Sequence, residues 1–567
     1  MNLPFHVTDA TLRDGLEDFV LKRMYPEEVS RLGTLLDRVG FYSIDCWGGS
    51  TFYTALTGLL EDPWERLKRL RRAIRNTPLQ MVVRGQMLVG FKPYQKELVR
   101  KFLAKAANLG MDIFRIYDQL NDLANMRPAI VMAKELRKEV EATVLYSHSP
   151  TVTQADYLRL AEDLINVGAD SICINDSLGT MTPEQVASLA TTYRWNFHKP
   201  LRLHLHDSQR KAVEAYLVGI QAGAERVDTV MAPLVWSDCP PAAEQLLAAL
   251  SNTSFDPQID PLALAAVTEY LEDRKAAHYY HEPSRRQAED TTTEGYLPGL
   301  LKDYLREELR SRQARDRLQA AFKEAHRVWK DLGFPPLKGR ILEIIGDQAL
   351  ANIFTSQRYE KLTDDMQDLM RGRYGSLYSI ANDMLRHTAL MLREQERRHP
   401  REGRLRQPPG ITKEEDILTF SLFPEEATNF FQHRAPKTPA PPVAPPAPKP
   451  TAAKTPVAPT TRLAQEMPRG LSLTLKGEEV GARLEAIGPL RGNKQTLFIT
   501  IGDMTEEIEV TFLAGGESRP EYLVTFHGET HRLKIRKVLP KEEEYTPLFL
   551  EINDKLEEFL IKHLHID

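Results

Sequence analysis

The chain has 567 residues, of which 42% are apolar and 27% charged, ordinary values for a soluble globular protein of several domains. Its formal net charge of −5 offers no basic field to a nucleic acid, and no run approaches the ~20 apolar residues of a membrane span. Cys46, Cys173 and Cys239 are too few for a disulfide framework, and the opening Met-Asn-Leu-Pro-Phe-His-Val lacks the regions of a secretory signal, so a cytoplasmic location is expected.

Short β-rich runs at 5–8, 42–46, 80–83, 112–117, 142–147, 171–175, 201–206 and 226–231 alternate with longer amphipathic stretches. The stretches at 26–40, 95–110 and 154–168 carry apolar residues at i, i+3, i+4 and i+7, and each ends at a glycine suited to a helix C′ position. Eight such units predict an α/β fold, a (β/α)8 TIM barrel over residues 1–255. A doubly wound sheet is the competing layout, but its Gly-rich phosphate loop is missing. Residues 256–434 lose the strand alternation and read as a helical extension on the barrel. Residues 435–465 form a Pro/Ala-rich linker, with ten prolines from Pro436 to Pro459. Proline fixes φ and donates no hydrogen bond, so this stretch is expected to be an extended spacer. Beyond it, residues 466–567 alternate with period two between Gly-containing turns such as His527-Gly528. That pattern predicts a small antiparallel β-domain, closed by a short charged helix over 552–564.

In such a barrel the reactive groups sit at the C-terminal ends of the strands. The first strand ends in TDATLRDG, bringing Arg13 and Asp14 to the mouth, and the seventh ends in LHLHD. Alternation along a strand sends His204 and His206 to one side, where with Asp14 they suit a divalent ion. Two packed histidines are the plainer reading of HxH alone. Asp207 is expected to orient the following helix. The third strand delivers Arg84, either a clamp for a substrate carboxylate or one half of a salt bridge. Arg115 and Asp118 read as an ion pair inside the barrel, Trp47 as packing, and the WGG at 47–49 as a tight exit from the second strand.

The blocks TDATLRD, DCWGGSTF, EDPWERL, NTPLQMVVRGQ, FRIYDQLND, GADSICIND and LHLHD occur in this order. They resemble the carboxyltransferase domain of biotin-dependent enzymes: the pyruvate carboxylase B subunit, the oxaloacetate decarboxylase α subunit and the transcarboxylase 5S subunit. FSLFPEEATNFFQHR (420–434) is similar to the end of the helical domain that follows the family barrel. The resemblance implies a 2-oxo acid substrate such as pyruvate or oxaloacetate, a homodimer, and a Zn, Mn or Co ion on Asp14, His204 and His206. Arg13 and Arg84 match the family's substrate-binding arginines.

Other positions depart from that pattern. The family's metal-binding, carboxylated lysine is Asn175 here, and an amide has no amine to carboxylate. A family glutamine is Glu17, an aspartate is Tyr53, a tyrosine is Phe91, and the proton-carrying threonine falls near Gly339. Standard carboxyl transfer is therefore expected to be lost or altered. A non-catalytic scaffold of a carboxylase complex, or a metal-dependent lyase of the wider superfamily, are the alternatives. No Met-Lys-Met tripeptide occurs in the chain, so biotin would arrive on a separate carrier or carboxylase subunit.

Overall fold

The computed structural model describes residues 5–15, 24–235, 239–277, 296–377, 379–398 and 403–434, together with the backbone of strands between 470 and 563. Glu17, the linker over 435–465 and the His527-Gly528 turn lie outside the described residues. Two compact units emerge, Met1–Thr438 and Pro439–Asp567.

Eight strands open the first unit: β1 (His6–Asp9), β2 (Ser43–Gly48), β3 (Leu79–Val83), β4 (Ile113–Ile116), β5 (Glu139–Leu145), β6 (Ser171–Asp176), β7 (Leu201–Leu205) and β8 (Arg226–Thr229). They pair in parallel, in chain order, and β8 returns to β1, with His6 opposite Arg226. The ring is closed, which excludes the doubly wound alternative. The helices Pro26–Leu36, Lys96–Asn108 and Gln154–Val167 occupy the predicted amphipathic stretches. Gly40, Gly110 and Gly168 follow them with φ of 94°, 103° and 122°, backbone that glycine adopts at little cost.

Most (β/α)8 barrels are filled by layers of aliphatic side chains. The interior of this one is ionic. Arg115 donates from Nε to Glu141 (2.6 Å) and from Nη1 to Asp228 (2.6 Å). Arg202 donates to Glu141 (2.5 Å) and Asp228 (2.7 Å) and also reaches Thr8 Oγ1. All four charged residues are fully or almost fully buried. The predicted Arg115–Asp118 pair does not form. Arg115 projects inward from β4, whereas Asp118 lies past its end and accepts from the Leu120 and Asp122 amides and Asn125 Nδ2. Trp47 packs as expected, fully buried against Phe52, Trp64 and Phe102. The exit after it needs glycine: Gly48 has φ of 91°, and a Cβ there would lie 2.4 Å from Val82 O.

From Pro261 to His433 the described residues hold helices and no named strand, as the sequence predicts. A second apolar core joins Leu301, Trp329 and Ile344 of this extension to Met87, Leu120 and Leu178, which follow β3, β4 and β6. The extension thus sits on the C-terminal ends of the strands. Its last helices return to the barrel's side, where Trp64 Nε1 donates to Thr419 Oγ1 and the Tyr94 hydroxyl to Leu422 O.

In the second unit, eight antiparallel strands from β9 (Gly470–Leu475) to β16 (Lys555–His563) close a separate barrel. The predicted helix over 552–564 is instead strand β16, paired with β15 (Tyr545–Ile552) and β9. Closure satisfies two sheet edges at once, a gain that local helical periodicity does not offset.

Removing one partner of a buried charge network strands the others. Arg115→Met is expected to destabilise the first unit by on the order of 3–5 kcal/mol, measured as a lower denaturant midpoint.

Candidate metal centre

The chain after β1 turns through a single π-helical turn, Thr11–Gly15, in which Ala10 O accepts from the amides of Arg13, Asp14 and Gly15. Such turns reorient side chains locally and are frequent at functional sites. Here the turn aims Asp14 at the barrel axis. A Cβ on Gly15 would fall 2.5 Å from Val230 Cγ1, so this close approach to β8's exit requires glycine.

Strand β7 rises from the ionic interior to the mouth through Arg202, His204 and His206. The β7–β8 register pairs Leu203 with Val227, which brings His204 beside Asp228. Asp228 Oδ2 lies 2.7 Å from His204 Nδ1, so the proton sits on Nδ1 and the Nε2 lone pair faces the mouth. That Nε2 lies 3.2 Å from His206 Nε2 and 3.6 Å from Asp14 Oδ2. One ligand atom from each of Asp14, His204 and His206 lies within 4.8 Å of the other two. Burial pushes the His204 imidazole below its ordinary value despite its aspartate neighbours. Burial, with the charges of His204 and Lys338 adding, pushes His206 well below. Burial works against the Asp228 carboxylate, but Arg115 and Arg202 outweigh it and hold that pKa well down. Two neutral imidazoles and a carboxylate converging on one point fit a divalent cation of borderline softness. The 3.2 Å approach of the two ring nitrogens equally suits an N–H···N hydrogen bond between packed histidines; the Asp14 carboxylate beside them is what marks the group as a candidate cation site.

Arg13 donates from Nε to Asp45 and from Nη2 to Asp14, both at 2.8 Å, so it braces the turn and the Asp14 carboxylate together. Arg84 donates from Nε to the Tyr117 hydroxyl (3.0 Å) and from Nη1 to Val89 O and Gly90 O. Among the described residues it makes no ion pair, and its Nη2 has no hydrogen-bond partner. Asp207 Oδ1 accepts from the amide of Ala212, the first residue of the next helix, as predicted.

Tyr53 and Phe91 are neighbours, with ring centroids 5.3 Å apart, and Phe423 packs 5.2 Å from Tyr53. The Tyr53 hydroxyl donates to Glu426. Asn175 is buried, and its Oδ1 accepts from Ser177 Oγ at 2.6 Å. Gly339 has φ of 55° and precedes the helix Arg340–Ile353. A Cβ there would lie 3.4 Å from Gln119 Oε1, a buried atom with no hydrogen-bond partner among the described residues.

Two residues of this region escape sequence reasoning. Asp228 could have been found, because an aspartate on β8 one rung beside an HxH strand is the natural partner for a ligand histidine. Lys338 could not. Its Nζ donates to Ser177 Oγ (2.8 Å) and Asn175 Oδ1 (3.3 Å), a contact across 163 positions of sequence.

Asp228→Asn is expected to weaken binding of an added divalent ion about 10–100-fold, read by calorimetry, because the amide no longer fixes the His204 tautomer.

Residues 5–270 match the HMGL-like family, and residues 297–531 match the conserved carboxylase domain. The chain is 35% identical over 447 residues to the pyruvate carboxylase B subunit of Methanocaldococcus jannaschii, covering 77% of this chain and 79% of that one. It is 30% identical over 444 residues to the 2-oxoglutarate carboxylase large subunit of Hydrogenobacter thermophilus, covering 76% and 68%. The methylmalonyl-CoA carboxyltransferase 5S subunit of Propionibacterium freudenreichii is 29% identical over 446 residues, covering 76% and 88%. The fold superposes on the carboxyl transferase domain of Rhizobium etli pyruvate carboxylase with a TM-score of 0.68 and 23% identity, over 89% of this chain and 88% of that one. With its barrel and carboxylase-domain extension, the chain belongs to the carboxyltransferase-subunit family of biotin-dependent enzymes that includes the pyruvate carboxylase B subunit and the transcarboxylase 5S subunit.

Proposed function

We propose that this protein is the carboxyltransferase component of a biotin-dependent enzyme acting on a 2-oxo acid, with biotin on a separate carrier. The convergence of Asp14, His204 and His206 at the mouth of the closed barrel carries this reading. A divalent ion held there would supply Lewis-acid polarisation of a 2-oxo group. The protein's own groups do the rest. Asp228 orients His204, and Arg13 holds the Asp14 carboxylate in place. Arg84, fixed by three hydrogen bonds, offers Nη2 to a substrate carboxylate. The apolar contacts between Leu120, Leu178 and the extension keep bulk water from part of the mouth.

The names of the relatives support a 2-oxo acid, pyruvate for one and 2-oxoglutarate for another. The transfer itself is altered, because Asn175 brings no amine to the metal. This same observation favours a second reading, a non-catalytic subunit that retains the metal and assembles with an active carboxylase.

The two readings part in one assay. Metal-loaded protein with an added biotin carrier is expected to exchange isotope between oxaloacetate and pyruvate, and avidin is expected to stop it. Asp14→Ala and His204→Ala should each lower the rate by at least ~100-fold, while Asn175→Ala should abolish it if the amide has taken a direct part. Absence of any 2-oxo acid turnover, with co-purification of a carboxylase subunit, would select the second reading.

A further inference from the structure

The helix Gln154–Val167 shows two faces. Ala161 and Leu164 are buried in the barrel's packing, whereas Asp156, Leu160 and Asp163 recur at i, i+4 and i+7 and share another side. These three line a cleft of about 330 Å³. It opens between this helix, the loop after β4 and two stretches of the helical extension, 332–336 and 376–377. That volume falls within the range of small-molecule sites.

Most of the lining is apolar, with Leu123, Leu160, Leu332, Phe334, Pro336 and Leu377 contributing. The charged lining groups are Asp122, Asp156, Arg159 and Asp163. Arg159 pairs with Asp156 at 3.3 Å, which leaves an acidic excess. Asp122 accepts from two backbone amides, those of Ala124 and Ser376, both at 2.8 Å. Asp163 is exposed and makes no ion pair among the described residues. Tyr157 forms another part of the lining, its ring fixed by a hydroxyl that donates to Ser147 O at 3.0 Å. Carboxylates beside two aromatic rings complement an organic cation, whose charge meets the acids while its body meets the rings.

The wall supplied by the extension is unusual backbone. Gly333 and Phe334 follow one another at φ of 79° and 57°, and a bulky residue in that left-handed region is uncommon outside turns, ligand clamps and switch segments. Thr151 Oγ1 donates to Gly333 O and Ser147 Oγ to Phe334 O, so the barrel's own loop holds this wall. Four residues further on, the same stretch brings Lys338 to Ser177 Oγ at the barrel mouth. A molecule in the cleft would therefore brace a segment that reaches the mouth.

We propose that this cleft is a binding site for a small organic cation with an apolar body, an arylalkylammonium in chemical class, clamped between barrel and extension. Leu160, Leu332 and Phe334 receive the body, and Asp122 and Asp163 receive the ammonium. The inference is independent of the carboxyltransferase reading.

Calorimetric titration of the full chain with tryptamine, with its neutral analogue tryptophol and with the anion indole-3-propionate tests it. Tryptamine is expected to bind about fivefold or more tightly than tryptophol, the scale of one or two partly exposed charge contacts, and the anion should bind most weakly. Asp163→Asn and Asp122→Asn should each reduce the preference for tryptamine while moving tryptophol by less than about twofold. Leu160→Trp, which fills the cleft, should weaken both. Hydrogen exchange of the amides over 332–342 is expected to slow in the tryptamine complex. Equal affinity for tryptamine and tryptophol would overturn the proposal, as would no saturable tryptamine binding at about millimolar concentration. Tryptamine affinity unmoved by both aspartate variants, or unchanged exchange over 332–342, would place the ligand elsewhere and overturn it too. Should Leu160→Trp not fold, Asp163→Asn at its exposed position decides the matter.

Discussion

Asp228 is the residue on which the first unit turns. Its carboxylate accepts from Arg115 and Arg202 below and from His204 above, so one group joins the ionic filling of the barrel to the centre at its mouth. Burial of so many charges is tolerable only when each is paired and hydrogen-bonded. The pairing also has a directional effect: two guanidiniums hold Asp228 anionic, the anion holds the His204 proton on Nδ1, and Nε2 is left bare toward Asp14 and His206, the candidate cation site. The barrel's interior and its chemistry are thus one electrostatic system. An aliphatic filling could support the same ring of strands but could not set a histidine tautomer.

A second theme is the mixed origin of the mouth. β1 supplies Asp14 through its π-turn, β7 supplies the histidines, β3 supplies Arg84, and the helical extension supplies Lys338. The extension therefore contributes a side chain to the mouth as well as covering it. Met87, Leu120 and Leu178 anchor it on the loops that follow three strands, and this packing determines where the Lys338 ammonium ends up.

Much of the barrel was legible because its signals are local. Period-two runs, 3.6-residue periodicity and glycines at helix ends each act within a few residues, and all eight strands appear where they point. The meeting of His204 and His206 was legible for a related reason: strand alternation alone puts them on one side. What failed, or could not be seen, was tertiary. Arg115 and Asp118 are three residues apart, yet a strand end separates their environments. The stretch 552–564 carries a helical pattern, and closure of an eight-stranded ring overrides it. Lys338 reaches Asn175 only because the extension folds back over the mouth, and no spacing in the sequence announces that.

The cluster of Tyr53, Phe91 and Phe423 has an evolutionary corollary. Two of these rings stand where relatives are expected to carry an aspartate and a tyrosine, and the third comes from the block 420–434 that folds back beside them. Arg84 stacks 5.5 Å over Phe91, so the aromatic group also forms one wall of the guanidinium's seat. Restoring an aspartate at 53 alone would set a carboxylate against apolar rings and beside Glu426, the acceptor of the present tyrosine. The three rings and Arg84 thus share one packed neighbourhood, in which a change at 53 alone is felt at 91 and 423.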